Sequence, residues 1–198
     1  MNLQSGKGFV MASRFYGLVF VALTGIVGVV SLPGGAVVVA QAQTTQDRKA
    51  EADRLIQQGA KLFQTSRYRE AISVLESALG IYREIKDRNG EATSLNNLGF
   101  AYNSLGQYQT AIEYYQQSLA IFKQIGDRNG EAGSIIGLGN AYYSLGQYQK
   151  AIEYYQQSLA IFKQIGDRNG EARSIIGLGN AYNSLGQYCN FRSKGDII

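Results

Sequence analysis

Apolar residues in the middle of the chain follow the spacing of a helix face, in stripes separated by short breaks that contain glycine. One stripe runs from Leu95 to Leu105 and is followed by Gly106. The next stripe ends at Phe122, shortly before Gly126. This spacing predicts amphipathic helices, and a glycine after the last apolar position is typical of a helix C-terminus. The pattern therefore predicts pairs of helices, and their short connections make them antiparallel.

The whole pattern repeats every 40 residues. Residues 111–132 recur without change at residues 151–172, and Ala71 opens a degenerate earlier copy. A fixed period of this length predicts a solenoid, in which each helix pair buries its apolar face against its neighbours. The units are 52–91, 92–131, 132–171 and an incomplete 172–188, roughly three and a half repeats, followed by a divergent tail at 189–198.

The segment between units is polar. Asp127 follows the glycine that ends one unit, and aspartate is a favoured cap for the next helix. Each unit is therefore predicted as helix, tight turn, helix and a short Asp-Arg-Asn-Gly connector. The first unit carries more charge, at Arg54, Lys61, Arg67 and Arg69, which suits the N-terminal cap of an array.

The N-terminal segment differs from the repeats in composition. It carries two positive charges, Lys7 and Arg14, and then no charged residue until Asp47. An apolar run at Leu18–Val30 is followed by Ala40-Gln41-Ala42, which has the small-x-small form of a signal-peptidase site. These three features together are typical of a secretory signal peptide.

We therefore expect residues 1–42 to be a signal peptide cleaved after Ala42, which places the repeats in the periplasm or outside the cell. The alternative is an uncleaved membrane anchor at residues 15–40, because that stretch is long enough to span a hydrocarbon core of ~30 Å. Residues 43–51 are polar and are expected to form a short linker that becomes helical near Arg48–Ala52.

Composition excludes several kinds of chemistry. The net charge of +4 is modest and the signs alternate along the chain, which argues against a nucleic-acid partner. The chain has no histidine and a single cysteine, Cys189, so histidine-based catalysis, His/Cys metal sites and internal disulfides are excluded. We expect no cofactor, no metal site and no catalytic residues, and therefore no enzyme.

One unit carries a recognisable set of small and aromatic positions: Leu98, Gly99, Ala101, Tyr102, Leu105, Gly106, Tyr108, Ala111, Tyr115, Ser118 and Leu119. This set resembles the tetratricopeptide repeat, whose usual unit has about 34 residues. The longer, 40-residue form found here resembles the repeats of the kinesin light chain and of Pins-type scaffolds. We expect this chain to be a bacterial exported protein of that type. The resemblance covers about residues 52–188 and implies an all-α, right-handed α-solenoid of antiparallel helix pairs.

In tetratricopeptide arrays the first helix of each unit lines a concave face. Carried over to this sequence, that face holds Asn96, Asn97, Phe100, Asn103, Ile136, Asn140, Tyr143, Arg173, Asn180 and Asn183, together with Thr93 and Ile176. Asparagine both donates and accepts hydrogen bonds, which suits a peptide backbone. Phe100 and Tyr143 are the candidate apolar anchors. A carboxylate clamp of the chaperone-binding kind is not expected, because its lysine positions hold Ile56 and Gly133, or Asn96 in another register.

The resemblance implies a non-catalytic protein–protein interaction scaffold that binds a peptide or helix in the concave groove. The alternative is the regulatory arm of a larger exported enzyme, such as a caspase-like protease, whose catalytic domain is missing from this sequence. A third possibility is a structural spacer without a tight ligand.

For the last unit, the sequence pattern predicts a first helix but no second helix. Apolar residues between Ser174 and Tyr182 would then form an uncovered face, which predicts a truncated product or self-association through this helix.

Overall fold

The computed structural model describes residues 35–186, with side chains from Thr44 onward. This part of the chain forms seven α-helices and no strand: α1 Gly35–Gln64, α2 Tyr68–Glu84, α3 Arg88–Ser104, α4 Tyr108–Ile125, α5 Arg128–Ser144, α6 Tyr148–Ile165 and α7 Arg168–Ser184. The predicted all-α fold is confirmed. Most of the predicted signal segment and the whole divergent tail lie outside the described residues.

The chain divides into two compact units, Met1–Thr45 and Gln46–Ile198. Of the first unit, residues 35–45 are described, and they form the first turns of α1. No helix in the described part is long and apolar enough to cross a membrane. The helix packing that builds the array lies in the second unit.

Residues 43–51 belong to α1, so the helix begins earlier than the expected start near Arg48. The physical reason is local, because the sequence between Ala36 and Gln58 contains no glycine and no proline. Alanine, glutamine, arginine, lysine and glutamate dominate its second half, and all of them favour helix.

Helix ends follow the predicted pattern, with one correction. Gly126 takes the left-handed conformation (φ 74°) after α4, and the Asp127 carboxylate accepts a hydrogen bond of 2.9 Å from the Gly130 N–H. The Arg-Asn-Gly that follows Asp127 is the first turn of α5 and not a connector. The unit boundaries drawn after residues 91, 131 and 171 therefore fall inside helices, because the aspartate caps the helix earlier than the apolar stripe begins.

The capping segment also ties neighbouring units together. Arg128 pairs with Glu131 at 2.5 Å on its own helix and donates to Gln164 Oε1 of α6 at 3.1 Å. Arg88 makes the same two contacts, with Glu91 and Gln124, one unit earlier. The charged residues at the start of these first helices are thus occupied by structural bonds.

Consecutive helices pack along the whole array, from α2 against α3 to α6 against α7. The first helices also contact one another, α3 with α5 and α5 with α7. Within the described residues no such contact joins α2 to α4 or α4 to α6. Because the first helices lie closer together than the second helices, α3, α5 and α7 form the inner layer of the array.

Aromatic rings from the second helices lie directly against glycines of the first helices. The Tyr155 ring packs between Gly139 and Gly177, where an added Cβ would lie 2.7 Å and 2.5 Å from ring carbons. Tyr115 is held in the same way between Gly99 and Gly137. Since real Cβ atoms do not approach so closely, glycine is required at these positions for close approach.

In the first unit a smaller side chain fills the space that tyrosine fills in later units. Leu75 occupies the position of Tyr115, and Asn97 occupies the position of Gly137. Leu75 is fully buried and packs against Gly59, the equivalent of Gly99. The branched leucine is shorter than tyrosine, so the facing helix tolerates a side chain at Asn97.

Buried serines make a second contact between units. Ser118 donates to the Ala92 carbonyl at 2.8 Å and lies 3.0 Å from the Ser134 hydroxyl of the next unit. Ser158 and Ser174 form the same pair at 2.9 Å. These hydroxyls are fully buried and hydrogen-bonded, which favours one register of helix against helix.

The tyrosine–glycine constraint predicts a non-additive pair of substitutions. Gly137→Asn alone should cost about 3 kcal/mol of unfolding free energy by overpacking, and Tyr115→Leu alone about 2 kcal/mol by leaving a cavity. Together they recreate the Leu75/Asn97 pair, so the double variant should lose about 2 kcal/mol less than the sum. Urea denaturation followed by circular dichroism measures all three values. Additive losses would contradict the pairing.

Lys86 takes a left-handed conformation (φ 59°) at the position where later units have glycine. A side chain there costs about 1–2 kcal/mol, part of which glycine returns as greater backbone freedom in the unfolded chain. Lys86→Gly should therefore raise the unfolding free energy by about 0.5–1 kcal/mol, measured by urea denaturation. The reciprocal control, Gly126→Lys, should lower it by about 1 kcal/mol. A destabilised Lys86→Gly would show that Lys86 makes a compensating contact.

Candidate functional site

The candidate site is the groove, defined as the surface that α1, α3, α5 and α7 present on the inner layer of the array. On α3 it consists of Thr93, Asn96, Phe100 and Asn103, which lie on one helix face because they are spaced by three and four residues. Contacts between neighbouring first helices join the corresponding faces into one surface. The groove is therefore the place where predicted site residues from different units meet.

Phe100 is the most exposed aromatic residue of the groove, with 46% of its surface accessible. Its ring meets Phe63 of α1 edge to face, with the centroids 5.0 Å apart. Phe63 in turn lies 6.4 Å from Tyr68. An exposed ring held by a second ring forms a rigid apolar platform, which is a common form of anchor for a partner side chain.

Asparagines flank this platform. Asn96 and Asn97 are half-buried, and so is Asn103. The Oδ1 atoms of Asn96 and Asn103 are buried without a hydrogen-bond partner in the described part of the chain. The accessible parts of these half-buried amides can donate and accept hydrogen bonds, while the buried Oδ1 atoms themselves are closed to a ligand in this arrangement.

Ile136 does not belong to the groove, and its prediction as a peptide-contacting residue is corrected. It is only 8% exposed and lies in a core cluster with Ile135, Ile161 and Phe162. The equivalent Ile176 of α7 is 63% exposed. The helix pattern is the same for both isoleucines, but Ile136 is covered by Ile161 and Phe162 of the following helix α6.

The other α5 residues lie where the sequence predicts, but they already have partners. Asn140 is exposed, and its Oδ1 accepts a 2.7 Å hydrogen bond from the Tyr155 hydroxyl. Burial of the ring raises the pKa of Tyr155, which keeps this hydroxyl a donor. The Tyr143 hydroxyl lies 3.2 Å from Ser184 Oγ, and its ring lies 5.3 Å from Tyr148.

The α7 residues are the most open. Arg173, Asn180 and Asn183 are exposed, and the Arg173 guanidinium lies 5.7 Å from the centre of the Phe162 ring. Together with Ile176 they leave this helix with a mixed polar and apolar surface. Self-association through α7 stays a prediction.

A cleft between α1 and α3 forms one end of the groove, and sequence reasoning missed it. Its volume is about 340 Å³, and its lining is Lys49, Asp53, Ile56, Gln57, Tyr82, Asn89, Gly90 and Thr93. The Tyr82 hydroxyl donates to Asp53 Oδ1 at 2.5 Å. Later units have Phe122 and Phe162 at the Tyr82 position. The additional hydroxyl was the available signal that the first interface is polar.

Charged groups in this cleft form ion pairs and hydrogen bonds with one another. The Lys49 ammonium binds the carboxylate of Asp87, the residue that caps α3, and this hydrogen bond raises the pKa of Lys49. Burial alone would raise the pKa of Asp87, but hydrogen bonds from the Gly90 N–H and from Lys49 outweigh it and lower that pKa. Burial, with the hydrogen bond to Asp53, raises the pKa of Tyr82. These shifts follow from structural pairing.

The geometry defines a class of protein, an array of helix pairs whose inner layer carries a groove. Comparison with known families agrees, because the tetratricopeptide repeat profile matches residues 50–124 and 131–188, more than half of the chain. The chain belongs to the tetratricopeptide repeat family. Comparison with the curated proteins gave no significant match.

Solved structures show the same fold. The tetratricopeptide domain of Arabidopsis FLU aligns with a TM-score of 0.56 at 24% identity, over 59% of this chain and 98% of that one. A putative kinesin light chain of Podosopora anserina with nearly identical repeats aligns with a TM-score of 0.64 at 24% identity, over 73% and 72%. A signal-transduction ATPase of Pyrococcus horikoshii with a tetratricopeptide sensor aligns with a TM-score of 0.66 at 25% identity, over 77% of this chain and 24% of that one.

This fold is typical of protein–protein interaction scaffolds, and the family is generally non-catalytic. The long form of the repeat, predicted to resemble that of the kinesin light chain, is confirmed at the level of the fold by these neighbours.

The Lys49–Asp87 pair predicts a specific pH dependence of stability. A lowered pKa in the folded state means that Asp87 stabilises the fold above its unfolded pKa of about 3.9, and that this contribution is lost as the pH falls through the folded value. Asp87→Asn keeps a capping side chain but loses the ion pair, so at pH 7 it should cost about 0.5–1 kcal/mol. The difference from wild type should shrink towards zero at the acid end of the titration.

Urea denaturation between about pH 7 and pH 3 measures this difference. Asp127→Asn is the matched control at pH 7. In that unit Asn89 takes the position of Lys49, so the substitution changes the cap without removing an ion pair with a lysine. A pH-independent loss for Asp87→Asn would mean that capping alone explains the effect.

Proposed function

We propose that this protein is a non-catalytic scaffold that binds a peptide or short helix of a partner protein in the groove. The observation that carries the proposal is the Phe63–Phe100 platform, where an exposed ring lies beside asparagine acceptors that have no partner in the described part of the chain. Binding energy at protein interfaces is concentrated in a few aromatic anchors surrounded by polar groups. The groove offers that arrangement where the first unit meets the second.

The helices are organised before a partner arrives. The first helices are held by the tyrosine–glycine contacts and by buried serine pairs, and neither set of contacts involves the Phe100 ring. A groove that needs no folding on binding loses little conformational entropy, and such preorganisation improves affinity. The scaffold therefore contributes to binding by rigidity rather than by chemistry.

A second candidate is that the array is the sensor of a larger enzyme. The Pyrococcus structure favours it, because that ATPase has a tetratricopeptide sensor and this chain aligns with only 24% of its length. In this case the groove would bind the same kind of ligand, and the consequence of binding would appear in another domain.

Selection of peptides from a phage-displayed random pool tests the groove. Peptides enriched on the wild-type chain should protect amides of α3 and α5 from hydrogen exchange, and Phe100→Asn should weaken their binding by about tenfold or more. This variant introduces the residue found at the same position in the next two units, Asn140 and Asn180, so it is expected to fold.

Glu113→Gln, an exposed change on α4, is the matched control and should leave binding unchanged. Failure to enrich any peptide, or binders that are insensitive to Phe100→Asn, would contradict the proposed function.

A further inference from the structure

The groove and the rest of the array differ sharply in charge. After their first turns, α3 and α5 carry no charged residue at all. The second helices carry the charges instead, and α2 alone has Arg69, Glu70, Glu76, Arg83 and Glu84. On the groove side, formal charge occurs at Lys49 and Asp53 in the cleft at the α1 end and at Arg173 of α7, at the opposite end of the series of first helices.

The charges in the first turns are not available to a ligand. Arg88 and Arg128 each pair with a glutamate one turn later, at 2.5 Å in both cases, and also bind a glutamine of the following second helix. Glu91 and Glu131 are buried. Each pair is neutral in sum, so the groove between Asp53 and Arg173 presents no net charge.

Uncharged polar groups take the place of charge in this stretch. The buried Oδ1 atoms of Asn96 and Asn103 have no donor in the described part of the chain, and they lie seven residues apart on the same face of α3. The exposed Phe100 ring lies between them. The half-buried side chains of these two asparagines place neutral amide groups on both sides of an aromatic anchor.

We propose, building on the function proposed above, that the groove selects uncharged polar peptide segments with one aromatic or aliphatic anchor. A charged side chain in this stretch would lose hydration and find no opposite charge, which costs free energy. An uncharged segment avoids that cost, lies against the neutral amides of Asn96 and Asn103, and places its anchor on Phe100 and Phe63. Because no ion pair forms, binding is independent of salt.

Three phage-displayed pools test the chemistry. Each peptide has a central phenylalanine and no free C-terminus. In the first pool the flanking residues are drawn from asparagine, glutamine, serine, threonine, glycine and alanine. The second pool adds aspartate and glutamate, and the third adds lysine and arginine. On the full chain the uncharged sequences should be enriched at least about tenfold over charged ones, equally at about 50 mM and about 500 mM NaCl.

A matched variant reverses the preference. Gly133→Arg places in the third unit the residue that the fourth unit has at the same position, Arg173. The fold has room for it, because an added Cβ at Gly133 would meet only the Asn96 amide nitrogen, at 4.0 Å. This variant should shift enrichment to the acidic pool by about tenfold and make binding sensitive to salt.

The outcomes separate the two proposals. Enrichment of acidic or basic sequences on the wild-type groove, or a tenfold loss of binding at high salt, would overturn the selectivity and leave the interaction function intact. Absence of enrichment from all three pools would overturn both. An unchanged preference for Gly133→Arg would also overturn the selectivity, since charge would then not govern the choice.

Discussion

The structure depends on the contact that one tyrosine ring of α4 and one of α6 make with a glycine on each of two first helices. Tyr115 and Tyr155 fill the space within one unit and between units at once, because each ring lies between a glycine of its own unit and a glycine of the next. Close packing makes this contact intolerant of any added carbon. The spacing of the first helices, and therefore the width of the groove, is set by the thickness of these rings.

The residues that stabilise the array and the residues that line the groove are different sets. From α4 onward the residues that pack the array are the same in successive units, including the capping aspartates, the buried serines and the ring-facing glycines. Groove positions vary instead. Thr93 is replaced by glycine and then by Arg173, and Phe100 by asparagine in both later units. Because the ring contacts are made with glycines and not with the variable groove residues, the identity of those residues can change without altering the framework. Near-identical units can thus present a groove that differs along its length.

Much of the fold could be predicted from the sequence, since the responsible forces are local. A glycine in the left-handed conformation ends each of α4 and α6, and an aspartate caps α3, α5 and α7 within a few residues of its own position. Residues 43–51 are the converse case: their polarity suggests a linker that becomes helical near Arg48, but their intrinsic propensity favours helix throughout. The set of first-helix positions that could form the groove followed from the period and from the family resemblance.

By itself, the sequence determined the period, the helix pairs and the residue types that the first helices carry, because these depend on spacing along one chain. Tertiary structure decided which of those residues are available. It buried Ile136 and exposed Ile176, engaged the Asn140 carbonyl with Tyr155, and joined Asp53 to Tyr82 in a cleft that the sequence did not indicate. Exposure and pairing depend on neighbours that lie far apart in sequence, and identical helix patterns acquire different surroundings when different helices pack against them.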